Sequence, residues 1–190
     1  MEPIAPPDDS AIDRRIAERL KAMRSERGWS LDELARRSGA SRASLSRLEN
    51  AETSPTASLL GRLAAAYGMT ISRLLHRVED DYAPVVRRAD QPVFVDPDTG
   101  FRRRTVSPPS AGLDGEVLEG TLKPGTSIAY DASPREGLEH HLVMLEGELD
   151  LTLSGTTHSL KEGDCIRYRL AGASAFRTGR RAARYLIFIA

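Results

Sequence analysis

The chain has 190 residues, 40% of them hydrophobic, which is enough for one ordinary domain or two small ones with real cores and excludes a disordered chain. Lys plus Arg and Asp plus Glu both number 27, so the net charge is zero, and a uniformly basic nucleic-acid coat or an acidic solvating tail is excluded. No apolar run approaches the roughly 18 residues of a membrane helix, and Met1-Glu2-Pro3 lacks the basic start of a signal peptide, so no membrane association is expected.

In chain order, residues 1–11, with Pro3, Pro6, Pro7, Asp8 and Asp9, read as a flexible leader without apolar periodicity. Ile12, Ile16, Leu20 and Met23 then recur at helical spacing, and Gly28 ends that helix. Ser30 precedes Leu31, Asp32 and Glu33 in a capping-box arrangement, in which Ser and Glu side chains satisfy each other's backbone amides, and a short helix runs from Leu31 to Ser38. Gly39 makes a turn, Ser41 caps a third helix with Leu45 and Leu48, and Thr56 introduces a fourth running to Tyr67. Gly68 stops it, and Thr70 caps a fifth with Ile71, Leu74 and Leu75. This module is basic: residues 12–78 carry 13 Arg or Lys against 7 acids, whereas residues 79–190 carry 14 against 17.

After Val78 the pattern changes. Glu79-Asp80-Asp81 suggests a linker, and Pro92, Pro97, Gly100, Pro108-Pro109, Pro124-Gly125, Gly147, Ser154-Gly155, Gly163 and Gly172 divide the remainder into short strands. Leu149, Leu151 and Leu153 alternate with polar residues, giving one buried and one wet face. Many short strands at this spacing indicate a sandwich or barrel. His140 and His141, as neighbours on a strand, project to opposite faces and cannot chelate one ion together. Tyr130, Arg167 and Tyr168 are candidates for the same interior as His140. Arg102-Arg103-Arg104 and Arg180-Arg181 read as solvated positions. Cys165 is the single cysteine, which excludes a disulfide framework and a Cys-rich zinc site, points to a reducing, cytoplasmic setting, and suggests a packing role.

The stretch from Leu31 to Asn50, with small Ala35 and the Gly39 turn, resembles the phage-repressor or xenobiotic-response-element family of helix-turn-helix proteins, over residues 12–76. The resemblance implies that Ser41 to Asn50 is a recognition helix. Arg42, Ala43 and Arg47 then match base-reading positions, with Ser44 nearby, and Ser30, Ser41 and Asn50 match positions that hold the phosphate backbone. Arg42 and Arg47 can each fork onto guanine; the alternative is a solvated helix face. Where the family often has Gly after the Asn, this chain has Ala51 and Glu52.

Gly137 to Leu149, with Leu145-Glu146-Gly147-Glu148, and then Gly163-Asp164 look like a cupin, a small β-barrel, over about 115–190. Enzymatic cupins hold a metal with a His pair, a Glu seven residues before the motif glycine, and a later His. With Gly147 as that glycine, His140 takes the Glu position, Glu136 or its neighbours the His pair, and Ser174 lies near the later His. Three of the four ligand types differ, so no metal, other cofactor or catalytic residue is expected. The resemblance points His140 into the barrel, where it and Glu136, Tyr130, Arg167 and Tyr168 are candidates to bind a ligand. The alternative for His140 is a core histidine with its hydrogen bonds satisfied.

The expected architecture is therefore an α + β multidomain chain: a leader (1–11), a five-helix helix-turn-helix domain (12–78), a linker with the first barrel strands (79–112) and a cupin-like β-barrel (113–190). The resemblances imply a dimeric transcriptional regulator that binds double-stranded DNA at a near-palindromic operator, with a barrel that dimerises and senses a small molecule. Similar regulators respond to amines, amino acids or sulfur metabolites. The competing reading is a metal-dependent cupin enzyme with an attached DNA-binding head.

Overall fold

In the computed structural model of the chain, residues 9–75, 83–110, 113–135 and 137–190 are described, residues 9–12 by their backbone only. Five helices come first: α1 (Asp9–Glu26), α2 (Leu31–Ser38), α3 (Arg42–Glu49), α4 (Ala57–Tyr67) and α5 (Ile71–Leu75). Their ends follow local chemistry. Ser30, Ser41, Thr56 and Thr70 hydroxyls accept the backbone N–H of Glu33, Ser44, Leu59 and Arg73, closing four N-termini whose amides have no partner within the helix. Gly39 and Gly68 end α2 and α4 with φ of 67° and 68°, a conformation that costs glycine nothing. Helix α1 begins three residues inside the stretch that reads as leader, because its first turn contributes no apolar repeat. The rest of that leader, residues 1–8, and the Glu79-Asp80-Asp81 linker lie outside the described residues.

The chain divides into two compact units, Met1–Pro55 and Thr56–Ala190, so α4 and α5 fall in the same unit as the strands although the helical sequence pattern runs on to Leu75. In the first unit, Ile16, Leu20, Met23, Leu34, Leu45 and Leu48 are buried, the apolar stripes of α1, α2 and α3. Arg24 fixes the end of α3: its Nε and Nη2 donate to the two oxygens of Glu49 at 2.7 and 2.8 Å, and its Nη1 donates to Trp29 O at 2.8 Å. Such a bidentate, half-buried pair sets geometry as well as energy. Trp29 lies beneath two guanidinium groups, Arg37 at 4.5 Å and Arg27 at 5.4 Å from its ring centroid.

One reading of this unit changes. The capping box at Ser30 is half formed, because the Glu33 carboxylate accepts hydrogen bonds from Arg36 and Arg37 instead of reaching back to the chain. The Arg36 hydrogen bond, reinforced by Arg37, holds the Glu33 carboxyl at a pKa of about 2, well below the usual range. Ala51, where glycine would be at ease, has φ 56°. Relief of that strain makes Ala51→Gly a stabilising substitution, by about 1 kcal/mol in thermal or urea unfolding; an unchanged or lowered midpoint would contradict it.

The second unit curls an antiparallel sheet around an apolar interior. Its strands are β1 (Val93–Val95), β2 (Arg102–Ser107), β3 (Glu116–Leu122), β4 (Ser127–Tyr130), β5 (Leu138–Leu153), β6 (Thr156–Lys161), β7 (Cys165–Leu170), β8 (Ser174–Arg177) and β9 (Ala183–Ile189), in the order β1-β2-β3-β9-β5-β8-β4, with β6 and β7 also on β5. The long strand β5 serves both halves. Leu138 to Gly147 lie between β7 and β9, and Glu148 to Leu153 between β6 and β8.

Gly147 therefore does not end a strand, as its sequence setting suggests; it carries β5 from one half to the other. The register shifts between Met144 and Glu146, and Gly147 has φ 78°. Before the shift Leu138, His140, Leu142 and Met144 are buried; after it Leu149 and Leu151 are, so the inward face changes parity. The Ser154-Gly155 hairpin, with φ of 46° and 87°, then returns the chain as β6.

The arginine run in β2 also departs from its solvated reading. Arg103 and Arg104 are only 7% and 5% exposed, on opposite faces of the strand. Arg104 donates to Gln91 and to Glu119, its cross-strand neighbour, and Arg184 lies 3.7 Å from Glu119 and also pairs with Glu146. The hydrogen bond from Arg104 keeps the Glu119 carboxyl below its ordinary pKa. Asp96, buried in the turn after β1, accepts the N–H of Ala57 at the start of α4 and those of Asp98 and Thr99. Arg180 and Arg181 are exposed, as expected.

Candidate nucleic-acid interface and barrel cavity

Helix α3 displays its short polar face outward. Ser41, Arg42, Ala43, Arg47 and Asn50 are exposed and Ser44 is half-buried, while Leu45 and Leu48 fill the other side. Ser41 Oγ both accepts the Ser44 N–H at 3.0 Å and meets Ser44 Oγ at 2.8 Å, so the two serines stiffen the first turn. Arg42 Nε lies 3.3 Å from Asp32, but both side chains are largely exposed, and such a pair holds the guanidinium by at most about 1 kcal/mol. Arg47 stands about one and a half turns from Arg42, at the other end of the exposed face. Ser30 is exposed at the N-terminus of α2. The serine, arginine and asparagine side chains can donate to phosphate oxygens and to the acceptor edges of bases.

The second unit encloses a cavity whose empty space, counted together with the open solvent at its mouth, is about 820 Å³. Its walls are largely apolar, with Phe101, Leu118, Ile128, Phe176, Ile187 and Ile189 among them, and Gly61, Thr70 and Ile71 reach it from α4 and α5. His140, Tyr130 and Tyr168 all line it. Arg167 does not: it faces outward from β7, because a strand that turns Tyr168 inward must turn its neighbour out. Cys165 shares that outward parity and is exposed, so it has no packing role in the interior. Glu136 lies outside the described residues.

His140 is held by one ring nitrogen. Its Nδ1 lies 3.1 Å from Tyr168 Oη, on the cross-strand partner, and its Nε2 is buried without a hydrogen-bond partner among the described residues. Burial pushes its pKa down to about 4, so the ring is neutral at pH 7. Burial likewise pushes Tyr130 up to about 12 and raises Tyr168 and Tyr185, keeping all three phenols protonated. The edge of the Tyr130 ring lies against Gly61 of α4, where an added Cβ would come within 2.5 Å of it.

Two charged groups here escape a reading by sequence alone. Arg103 lines the cavity, and its Nη2 donates to Ser72 Oγ of α5 at 2.7 Å. Glu116 is 3% exposed, and neither carboxylate oxygen has a hydrogen-bond partner among the described residues. A period-two count could have split Arg103 from Arg102 and Arg104, but nothing local says which face is interior.

Of the positions that the resemblance aligns with metal ligands of enzymatic cupins, His140 and Ser174 are described and do not by themselves make a metal site. His140 and Ser174 line the cavity, but the wall also carries the Arg103 cation, and no group of three His, Cys, Asp or Glu suited to a metal occurs among the described residues. No described helix is long and apolar enough to cross a membrane.

A family model for a helix-turn-helix domain matches residues 15–90. The HTH-type transcriptional regulator SutR of Escherichia coli (strain K12) is 25% identical over 173 residues, which cover 87% of this chain and 88% of that protein. The HTH-type transcriptional regulator PuuR of the same organism is 27% identical over 145 residues, 76% of this chain and 77% of its own. The crystal structure of an HTH_3 family transcriptional regulator from Vibrio cholerae has the same fold, with a TM-score of 0.79 at 24% identity over 96% of this chain and 98% of that one. The chain thus carries a helix-turn-helix domain of the kind found in transcriptional regulators, matched over residues 15–90, ahead of a curled antiparallel β-sheet.

Proposed function

We propose that the protein is a sequence-specific DNA-binding transcriptional regulator that acts as a homodimer and whose barrel receives a small-molecule effector. The observation that carries this reading is the exposed face of α3, with Arg42, Ala43 and Arg47 behind the Ser41 cap, inside the stretch that matches a helix-turn-helix domain. Arg42 and Arg47 fork onto guanine O6 and N7, Ala43 meets a thymine methyl, and Ser30, Ser41, Ser44 and Asn50 hold phosphates. One such head neutralises few phosphates and binds weakly at physiological salt, so two heads reading half-sites roughly 10 bp apart, or a multiple, are required for specificity. Val143 and Phe188, 38% and 41% exposed on the outer face of neighbouring strands β5 and β9, favour the barrel as the dimerising part.

An effector role is supported by the cavity's place in the chain. Gly61, Thr70 and Ile71 belong both to the matched helix-turn-helix stretch and to the cavity wall, so a ligand there touches α4 and α5 directly. A ligand that prefers one arrangement of those helices shifts the population that binds DNA, to the extent of its differential affinity.

The test is a salt-dependent anisotropy titration against DNA upstream of the protein's own gene, beside a scrambled duplex. Binding that survives physiological salt only on the native duplex supports the reading; equal, salt-labile binding to both opposes it. Arg42→Ala and Arg47→Ala are each expected to lose about 2 kcal/mol of binding and to relax preference at one position per half-site. Unchanged affinity and preference in both variants would remove α3 as the reading helix.

A further inference from the structure

We propose that the barrel cavity is a receptor for a small organic monocarboxylate, with Arg103 taking the carboxylate and the apolar walls its hydrocarbon body. The regulatory meaning of this site rests on the effector reading above; the binding itself does not. Arg103 is 7% exposed, lines the cavity, and makes a single hydrogen bond, from Nη2 to Ser72 Oγ, with no ion pair among the described residues. A guanidinium has five N–H donors in a planar fork shaped for the two oxygens of a carboxylate, so most of this fork is unspent. A buried cation without a close counter-charge is costly, and an anionic ligand removes that cost. Glu116 acts on Arg103 from a distance and leaves its donors free.

The rest of the wall decides the ligand's other features. Among the described residues no Asp or Glu lines the cavity, so an ammonium group would find no carboxylate partner there and would face the arginine. Arg103 and His140 lie three strand spacings apart around the sheet, β2 to β3 to β9 to β5, and four residues apart along it, so they face the cavity from different walls. Between them the surface is apolar apart from tyrosine hydroxyls. A ligand anchored at Arg103 therefore runs along hydrocarbon, and a hydroxyl at its far end can meet the partnerless Nε2 of His140. Because Arg103 is tied to Ser72 and Tyr130 to Gly61, such a ligand presses on side chains that touch α5 and α4.

The experiment is calorimetric titration of the full chain with straight-chain carboxylates from butanoate to decanoate, beside primary alcohols and amines of equal length. The expected result is a carboxylate that binds at least tenfold more tightly than its alcohol, with no binding of its amine. Arg103→Met should cut carboxylate affinity at least tenfold and leave the alcohol within twofold, and Arg103→Lys should fall between. Alcohols or amines that bind as well as carboxylates, an Arg103→Met variant that binds them like wild type, or no carboxylate binding at any length would overturn the proposal. If Arg103→Met does not fold, the wild-type ratio of carboxylate to alcohol still decides. DNA affinity in the same samples separates the two ideas: selective carboxylate binding with unchanged DNA affinity keeps the anion site and removes the effector reading. Altered DNA affinity with alcohols or amines alone does the reverse.

Discussion

Gly147→Ala is expected to destabilise the protein by about 4 kcal/mol, the largest effect of any small substitution in the barrel. Two costs combine. The residue has φ 78°, where a Cβ is strained by about 1 to 2 kcal/mol, and the new carbon would sit 1.8 Å from the carbonyl oxygen of Ala182. That oxygen is backbone in the approach to β9, so it cannot swing away as a side chain would; the strand pair must separate, at an overpacking cost of about 1 to 3 kcal/mol. The site is also where β5 changes inward parity, so displacement there disturbs both halves of the sheet. Gly163→Ala is the control, since Gly163 has φ 87° with nothing within 4 Å of the added carbon, and it should lose only the backbone share. Thermal or urea unfolding of the two variants separates steric from conformational cost. Equal losses would mean that the Ala182 contact yields easily and that the strand switch does not depend on the glycine.

The same residue shows which features the sequence exposes and which it conceals. Caps and stops are local: Ser30, Ser41, Thr56, Thr70, Gly39 and Gly68 act on amides or carbonyls a few residues away, and the helix boundaries they imply are those observed. Gly147 is local too, but a positive φ serves a turn and a bulge alike, and its choice between them depends on Ala182, far along the chain. Glu33 illustrates a local competition, in which two arginines one turn ahead outbid the backbone for its carboxylate. Arg103 and Arg104 are hidden from any local reading, because their burial is created by Ser72 on one side and by Gln91 and Glu119 on the other. Arg167 is only half separable from the sequence: strand alternation forbids it and Tyr168 from facing one interior, but the choice between them is set by the register, which makes Tyr168 the cross-strand partner of the inward His140.

Acid should expose the cost of holding His140 neutral, by about 3 kcal/mol between pH 6.5 and pH 4. Burial lowers its pKa in the folded protein to about 4, against an ordinary value of 6.5. Between those values the unfolded chain binds a proton on this ring and the folded chain does not, so stability falls as pH falls through the window. Above pH 6.5 both states are neutral there and the contribution does not change; below pH 4 both are protonated and the whole contribution has been lost. Carboxylates titrate over part of the same range, Glu119 among them, with a depressed pKa whose stabilisation is likewise lost on acidification. A single protein cannot separate these slopes, but a difference can. His140→Gln keeps a polar side chain near Tyr168 with no ionisation of its own, and the carboxylates cancel between the two proteins. Urea midpoints at pH 7.5, 6.5, 5.5 and 4.0 should show wild type losing up to about 3 kcal/mol relative to the variant, most of it below pH 6.5. A pH-independent difference would mean that the ring reaches water or a counter-ion on protonation, and that the cavity wall at β5 is more open than its buried Nε2 indicates.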